Sequence, residues 1–242
     1  DDAAQLGSDA YDHRRFLNAF YTGRFEGSFA RGVPFQENPQ TGDARISGTC
    51  ASLSGLEKAL TEETVTEVEL ALRRILLIHG LTLAAGGIPL LYLGDEIATL
   101  NDYGYRADPA KAADSRWVHR PYAGEARYAR RTVPATVEGR MYGGLLRLLA
   151  AYRACPAFAG GETDFLSLAS PALFGFVRAH AGERVLVVAN FTERPQTIAA
   201  NELRLHGLSY TFTDLVSGYE ISLKTGEDFT LEPYQMVWLQ AT

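Results

Sequence analysis

Gly86-Gly87-Ile88-Pro89-Leu90-Leu91-Tyr92-Leu93 follows directly on residues 62–85, where Val65, Val68, Leu72, Ile75, Leu76, Ile78 and Leu83 recur at three- and four-residue steps. That recurrence predicts an amphipathic helix over 62–85, with acidic residues crowding its start and the glycine pair ending it. The run from Ile88 to Leu93 shows no polar alternation. It reads as a short strand buried on both faces, the kind found in parallel sheets. Helix, glycine turn and buried strand make the repeating unit of an α/β barrel or an open α/β sheet.

Beyond this unit, residues 94–138 hold no sustained period. A connection of that length inside a compact domain is functional or disordered. Tyr103, Tyr105, Trp117, Tyr122 and Tyr128 argue against disorder. Helical spacing returns over 139–154 through Met141, Leu145, Leu148, Leu149 and Tyr152, and Cys155-Pro156 ends it. From about 161 the period becomes two: Leu173–Arg178, Arg184–Asn190 and Met236–Leu239 read as strands, with Ala181-Gly182-Glu183 as a hairpin connection. Several short strands at this spacing predict a small antiparallel sandwich and a domain boundary near 160. These strands show no obvious exposed aromatic row. On the N-terminal side, Tyr11–Tyr21 has helical spacing, Arg24–Phe35 is broken by glycines and a proline, and Asn38-Pro39 and Thr41-Gly42-Asp43 read as turns.

Composition narrows the partners. Of 242 residues, 46% are hydrophobic and 21% charged, with a net charge of −6. No basic face is expected, so nucleic acid is not a partner. No run of about 18 apolar residues occurs, so no membrane span is expected. Asp1-Asp2-Ala3 lacks the basic and apolar regions of a signal peptide. With Cys50 and Cys155 fitting no CxxC or zinc spacing and reading as buried free thiols, a cytoplasmic location is the expectation. The five histidines show no metal spacing, and no phosphate loop or nucleotide fingerprint occurs, so neither metal nor cofactor is expected. His79, within an apolar helix, reads as a core histidine.

Gly87 to Glu96 resembles the segment around the eighth barrel strand of the α-amylase superfamily, glycoside hydrolase family 13. Tyr11-Asp12-His13-Arg14, Arg31–Pro39 with Thr41–Arg45, Asp114–Pro121 and Leu231–Leu239 are similar to the amylosucrase subfamily. The resemblance implies a fold that is α/β plus all-β. It would comprise an insert subdomain (1–60), the end of a (β/α)8 TIM barrel (61–160) and an antiparallel β-sandwich (161–242). It implies a retaining glucosyltransferase that cleaves sucrose, releases fructose and elongates α-1,4-glucan, with maltooligosaccharides as acceptors. A sucrose hydrolase of the same subfamily or a non-catalytic carbohydrate-binding fragment are the alternatives. It further implies that the catalytic carboxylates precede Asp1, in an N-terminal part of the same enzyme.

Retaining transfer needs two carboxyl groups about 5 Å apart. Asp95 and Glu96 are adjacent after the expected strand and point opposite ways, so they read as structural groups near the barrel rim. No catalytic residue is therefore assigned within the chain. Arg116 lies in the connection after the expected strand, where such barrels build their sites. The resemblance gives its counterpart the role of closing the bottom of the glucosyl pocket by pairing with an aspartate. Bidentate pairing to a carboxylate suits a guanidinium. A surface ion pair is the plain alternative. By the same resemblance Arg45 contacts the fructosyl ring or first acceptor sugar, Gln36 and Asn38 shape the acceptor path, and Arg14 meets longer glucan chains further out. Turn chemistry and a solvated helix face are the alternatives for these four. Asp12, Asp43 and Asp114 each stand two residues before an arginine (Arg14, Arg45 and Arg116), where ion pairing or turn capping also serves. Phe35, Tyr103, Tyr105 and Trp117 are candidate stacking rings, with packing as the alternative. Glu37 and Tyr103–Arg106 stand at positions that bear on acceptor handling.

Overall fold

The computed structural model describes residue 5, residues 7–122 and residues 124–242. Asp1-Asp2-Ala3, on which the signal-peptide reading turned, lie outside the described residues. The chain divides into two compact units, Asp1–Leu72 with Leu93–Glu138, and Arg73–Tyr92 with Gly139–Thr242.

The first unit opens with helix α1 (Ala10–Tyr21), as its spacing predicts. Asp9 caps it, accepting from the Tyr11 and Asp12 amides at 2.8 and 3.0 Å, which satisfies two of the orphan donors of the first turn. Two three-residue strands follow, β1 (Val33–Phe35) and β2 (Arg45–Ser47), antiparallel with Phe35 opposite Arg45. Gly32 passes so close to α1 that a Cβ there would stand 2.5 Å from the Tyr21 carbonyl, so only glycine fits. Next come α2 (Cys50–Leu53) and α3 (Leu56–Glu62). The long helix α4 (Val65–Ala84) agrees with the reading to within a turn and runs from this unit into the second.

Among the described residues of 94–138 regular structure is present, as the aromatic content suggested, but in short pieces. The connection contains 3₁₀ turns at Asp95–Ile97, Gly104–Ala107 and Ser115–His119, and helix α5 (Glu125–Arg130). Asn101 pins it. Its Oδ1 accepts from the Thr49 amide at 2.8 Å, its Nδ2 donates to the Arg31 carbonyl at 2.5 Å, and its amide donates to Ser52 Oγ at 2.9 Å. One side chain thus closes backbone groups of two distant segments that no ladder reaches.

The predicted strand from Ile88 to Leu93 is not formed. No strand among the described residues pairs with it, and Ile88, Leu90 and Leu93 are exposed. An apolar run states a demand for burial; a strand also needs a neighbouring backbone to complete its hydrogen bonds. What stands among the described residues is helices with antiparallel sheets, without a barrel ladder.

The second unit combines the C-terminal part of α4 with α6 (Val137–Ala154, its first residues in the other unit) and a sheet domain. Its strands are β3 (Glu162–Phe165), β4 (Leu173–His180), β5 (Glu183–Asn190), β6 (Gln196–Ala199), then, after helix α7 (Ala200–Gly207), β7 (Thr211–Asp214), β8 (Glu220–Ser222), β9 (Asp228–Leu231) and β10 (Met236–Ala241). Six form one antiparallel sheet in the order β3-β4-β5-β10-β7-β8, and β6 pairs with β9 in a second layer. The two-residue turn Ala181-Gly182 has φ of +53° and +83°, the pair of left-handed residues that a tight hairpin with native twist requires.

Period two assigns the faces. Phe176, Val187 and Trp238 stand in register on one face, where the Phe158 ring lies 4.7 Å from Trp238. Leu173, Val177, Leu186, Val188, Val237 and Leu239 form the other, closed by Ile198, Leu203, Phe212 and Leu231. Buried Arg178 is held by the Gly160 and Gly161 carbonyls and by Thr163 Oγ1, whose hydroxyl donates to the Ala85 carbonyl just past α4. A guanidinium in this place meets the negative end of the helix. The expectation of no exposed aromatic row needs correction: Phe165, Phe174 and Phe191 are each exposed, with neighbouring centroids 5.9 and 6.1 Å apart. Their planes are inclined by 41° and 86°. The rings therefore pack on one another instead of presenting a flat platform.

Candidate functional site

The predicted polar residues gather around the β1–β2 hairpin of the first unit. Phe35 and Arg45 are directly opposed and so share a face of the pair. The 3₁₀ turn Ser115–His119 is tied to β1 by Ser115 Oγ, which donates to the Pro34 carbonyl at 2.8 Å. That bond brings Arg116 over Phe35, its guanidinium carbon 4.6 Å from the ring centroid. Residues far apart in the chain thereby come together: Arg116 on the turn, Phe35 and Arg45 on the strands, Gln36 and Asn38 in the connecting loop.

Arg116, Gln36 and Asn38 already have local duties. Arg116 holds Asp114 in a fork, Nε to Oδ1 at 2.9 Å and Nη2 to Oδ2 at 2.8 Å, with 48% of its side chain exposed. Asp114 also caps the turn by accepting from the Arg116 amide at 3.0 Å. The guanidinium beside it holds the Asp114 carboxyl down at about 2. The plain ion-pair alternative is thus realised, and so is the fork geometry that carboxylate recognition demands. Gln36 has φ +55°, the left-handed conformation that turns the chain out of β1. Asn38 Oδ1 accepts from the Gln40 and Thr41 amides at 2.8 and 3.3 Å, an Asx turn as its sequence suggested. Arg45 is exposed at the start of β2.

The three aspartate–arginine pairings separate on folding. Asp114 does pair two residues on. Asp43 instead receives Arg14 Nη1 at 3.1 Å and Asn18 Nδ2 at 3.1 Å, and Asp12 lies 3.7 Å from Arg15. Sequence proximity placed these partners in range, while the helix phase chose among them. Arg14 and Asn18, one turn apart on α1, both reach the loop. Arg14 and Asn18 hold the Asp43 carboxyl below its ordinary value. Glu37, a position singled out for acceptor handling, takes Arg24 bidentately at 2.6 and 3.2 Å and is likewise lowered.

Between α1 and this loop lies an open hollow of about 430 Å³. Arg15, Asn18, Arg24, Glu37 and Thr41 line it over the rings of Phe16 and Phe25, which meet edge to face at 5.1 Å. Sequence reasoning missed the hollow, although Phe16 and Asn18 stood in a helix it drew. The missing signal was the pairing of Arg14 and Asn18 with Asp43, which orients the loop. The hollow offers apolar ring faces ringed by separate donors and acceptors.

The candidate stacking rings are differently occupied. Tyr105 is buried. Tyr103 donates to Glu57 Oε1 at 2.8 Å and has Arg106 over its ring at 5.0 Å, while burial pushes its hydroxyl up. Trp117 has Lys111 and Arg120 over its ring at 5.1 and 5.2 Å. Asp95 and Glu96 form a 3₁₀ turn, in which Glu96 accepts from the Gly94 amide at 2.7 Å and from the Tyr128 hydroxyl at 2.9 Å. Glu96 has the structural character expected of it. His79 is buried, and burial lowers its pKa. Cys50 and Cys155 are free thiols, Cys50 pushed up to about 11 by burial, with Asp95 adding to the shift.

Comparison with known proteins bears on the fold. Residues 163–238 match the maltogenic amylase C-terminal domain family. The structure is similar to that of an AmyP point variant in complex with maltotriose, with TM-score 0.58 and 16% identity, over 77% of this chain and 38% of that one. It is similar to AmyP in complex with maltose, with TM-score 0.57 and 18% identity, over 77% and 37%. An Anoxybacillus α-amylase is also similar, with TM-score 0.52 and 18% identity, over 81% and 36%. The chain thus spans less than two fifths of the solved chains it resembles. Over most of its length the fold is therefore like that of part of these solved structures, and the sheet domain carries the match to the maltogenic amylase C-terminal domain family.

Proposed function

We propose that this chain is the substrate-side, C-terminal portion of an amylosucrase-type retaining glucosyltransferase. The enzyme transfers the glucosyl unit of sucrose to an α-1,4-glucan acceptor and releases fructose. The observation that carries the reading is the assembly of Arg116, Phe35, Arg45, Gln36 and Asn38 on one hairpin and turn, beside a hollow with aromatic floor and polar rim. Supporting it are the complexes of AmyP with maltose and maltotriose.

In this reading Arg116 floors the glucosyl pocket, and a carboxylate from another part of the enzyme competes with or joins Asp114 at its fork. Arg45 meets the leaving fructose or the incoming acceptor. Gln36 and Asn38 line the acceptor path, and Arg14, fixed by Asp43, guides longer chains past the hollow. Nucleophile and acid/base come from outside residues 1–242, because Asp95 and Glu96 are adjacent in one turn and Glu96 is already engaged. The borders 1–60, 61–160 and 161–242 correspond to insert, barrel end and sandwich. In this reading the exposed apolar run from Ile88 to Leu93, no strand in this structure, pairs as the last barrel strand only against the rest of the enzyme.

The test is turnover of sucrose by the complete enzyme, reading fructose against insoluble glucan and free glucose. Fructose with glucan is the expected result. Fructose with equimolar glucose would make the enzyme a sucrose hydrolase, and no fructose would remove the proposal. Arg116→Ala is expected to lose most of the fructose release, and unchanged release would remove the pocket-floor role.

A further inference from the structure

We propose that Tyr103 is a positioning residue for Arg116, holding through its hydroxyl the segment from which the Arg116 turn hangs. The inference rests on the reading of Arg116 as the floor of the glucosyl pocket. All the groups involved belong to the first unit. There the turn Ser115–His119 is fixed at two points. Ser115 Oγ ties its start to the Pro34 carbonyl of β1 at 2.8 Å. Its far half is tied through the Val118 carbonyl, which accepts from the Asp102 amide at 2.8 Å, with Val118 wholly buried. Arg116 stands between the two ties, over the ring of Phe35. Whatever places residues 101–103 therefore places Arg116.

The Tyr103 hydroxyl is what places them. It donates to Glu57 Oε1, in the first turn of α3, at 2.8 Å and accepts from Asn101 Nδ2 at 3.2 Å. Asn101 Nδ2 directs its other proton to the Arg31 carbonyl, and Asn101 Oδ1 receives the Thr49 amide. A side-chain amide nitrogen has two protons, so Asn101 is satisfied as a donor only when the phenol is present. Glu57 Oε2 is buried and makes no hydrogen bond among the described residues, so the donor its carboxylate has there is the Tyr103 hydroxyl. Burial, with Glu57 adding to it, pushes the Tyr103 hydroxyl up, which keeps it protonated and a donor at neutral pH.

The ring serves the same end. Arg106 lies 5.0 Å over Tyr103 and 5.8 Å over Tyr105, and the Gly104 amide donates to Asp102 Oδ1 at 2.8 Å. A ring face covered by a guanidinium is closed to a sugar, so the stacking role considered for Tyr103 gives way to a relay. The bonds run in one series: the Glu57 carboxylate on α3, the Tyr103 hydroxyl, the Asn101 amide, then the Arg31 carbonyl just before β1. Removing one hydroxyl from the middle strands two partners, a carboxylate oxygen and an amide proton. The segment 101–103 then loses its tie to α3, and the Val118 end of the turn moves with it.

The experiment measures fructose release from sucrose by the complete enzyme carrying Tyr103→Phe, Glu57→Leu or Glu57→Gln, each alone and together with Arg116→Ala, and amide exchange in the turn Ser115–His119 and at Asp102. Tyr103→Phe keeps the ring under Arg106, and thermal melts check that each variant folds. The expected result is that Tyr103→Phe and Glu57→Leu each lower kcat/KM for sucrose about tenfold, the scale of one to two net hydrogen bonds. Glu57→Gln, which retains an acceptor, keeps it near the unsubstituted value. In the Arg116→Ala background the same substitutions leave the residual release unaltered, because the group they position is gone. A tenfold loss that persists without Arg116 would overturn the inference, since the hydroxyl would then act on the unit at large. Unchanged kcat/KM in Tyr103→Phe would overturn it too. If the unsubstituted enzyme releases no fructose, the glucosyltransferase reading fails and exchange decides the placement alone. Faster exchange at the Asp102 and Arg116 amides in Tyr103→Phe then supports it, and unchanged exchange overturns it.

Discussion

The two units solve the same problem by opposite means. In the second, eight-residue strands β4 and β5 pair along their whole length, and β10 closes against β5 and β7 over a core of aliphatic and aromatic side chains. In the first, strands are three residues long, and segments are joined by single side chains such as Asn101 and by ion pairs such as Arg14–Asp43 and Arg24–Glu37. Ladders and apolar burial make the second unit a platform. The first unit also buries Leu56, Leu72, Ile97 and Val118, and polar ties hold the loops in which the proposed sugar chemistry sits.

That contrast can be broken most directly at Trp238, wholly buried against Phe158. Trp238→Ala is expected to cost about 3–5 kcal/mol in urea unfolding. Trp238→Phe should cost clearly less, since Nε1 makes no hydrogen bond among the described residues. An equal cost for both would show that ring burial is not what holds the sheet. A smaller effect is expected from Asn101→Ala, about 1–3 kcal/mol, because it strands the Thr49 amide and the Arg31 carbonyl. Amide exchange should then accelerate in the first unit and stay unchanged in the sheet; acceleration in β4 or β5 would erase the distinction drawn between the units. Arg14→Ala breaks an ion pair with 62% and 39% exposed partners, so it is expected to leave the melting temperature nearly unchanged. A melting temperature that falls sharply would mean that the surface ties carry the fold.

The gentlest probe is pH. The Asp114 carboxyl is depressed from 3.8 to about 2 by Arg116, so the pairing favours the folded state above about 4 and its contribution fades as pH falls toward 2. A carbon-detected titration of Asp114 should give a midpoint of about 2. A midpoint at the ordinary aspartate value of about 3.9 would show the guanidinium turned away, freeing it for another carboxylate.

Much of the scaffold was legible because it obeys simple periods. Helices α1, α4 and α6, strands β4, β5 and β10, and the Ala181-Gly182 turn each follow a local rule. The run from Ile88 to Leu93 failed because a strand is a property of two segments, and its composition names only one. For the candidate site, the sequence brought out a neighbourhood and not its pairings. Arg116, Arg45, Gln36, Asn38 and Arg14 do stand near one hairpin, but Asp43 choosing Arg14 over Arg45 depends on the phase of α1. Phe16 and Phe25 became a hollow's floor only because that pairing fixes the loop. The aromatic cluster of Phe165, Phe174 and Phe191 escaped notice since its members sit on three different stretches of chain.

The place of β10 has a consequence for biosynthesis. β4 and β5 are joined by a two-residue turn and can zip together as soon as both have emerged from the ribosome. The slot between β5 and β7, however, is filled by Met236–Ala241, made after every other strand of the sheet. Until that segment is released, β5 and β7 present bare backbone edges to the crowded cell. The nascent domain therefore passes through a sticky half-sheet, and a stop codon anywhere before residue 236 would leave it there permanently.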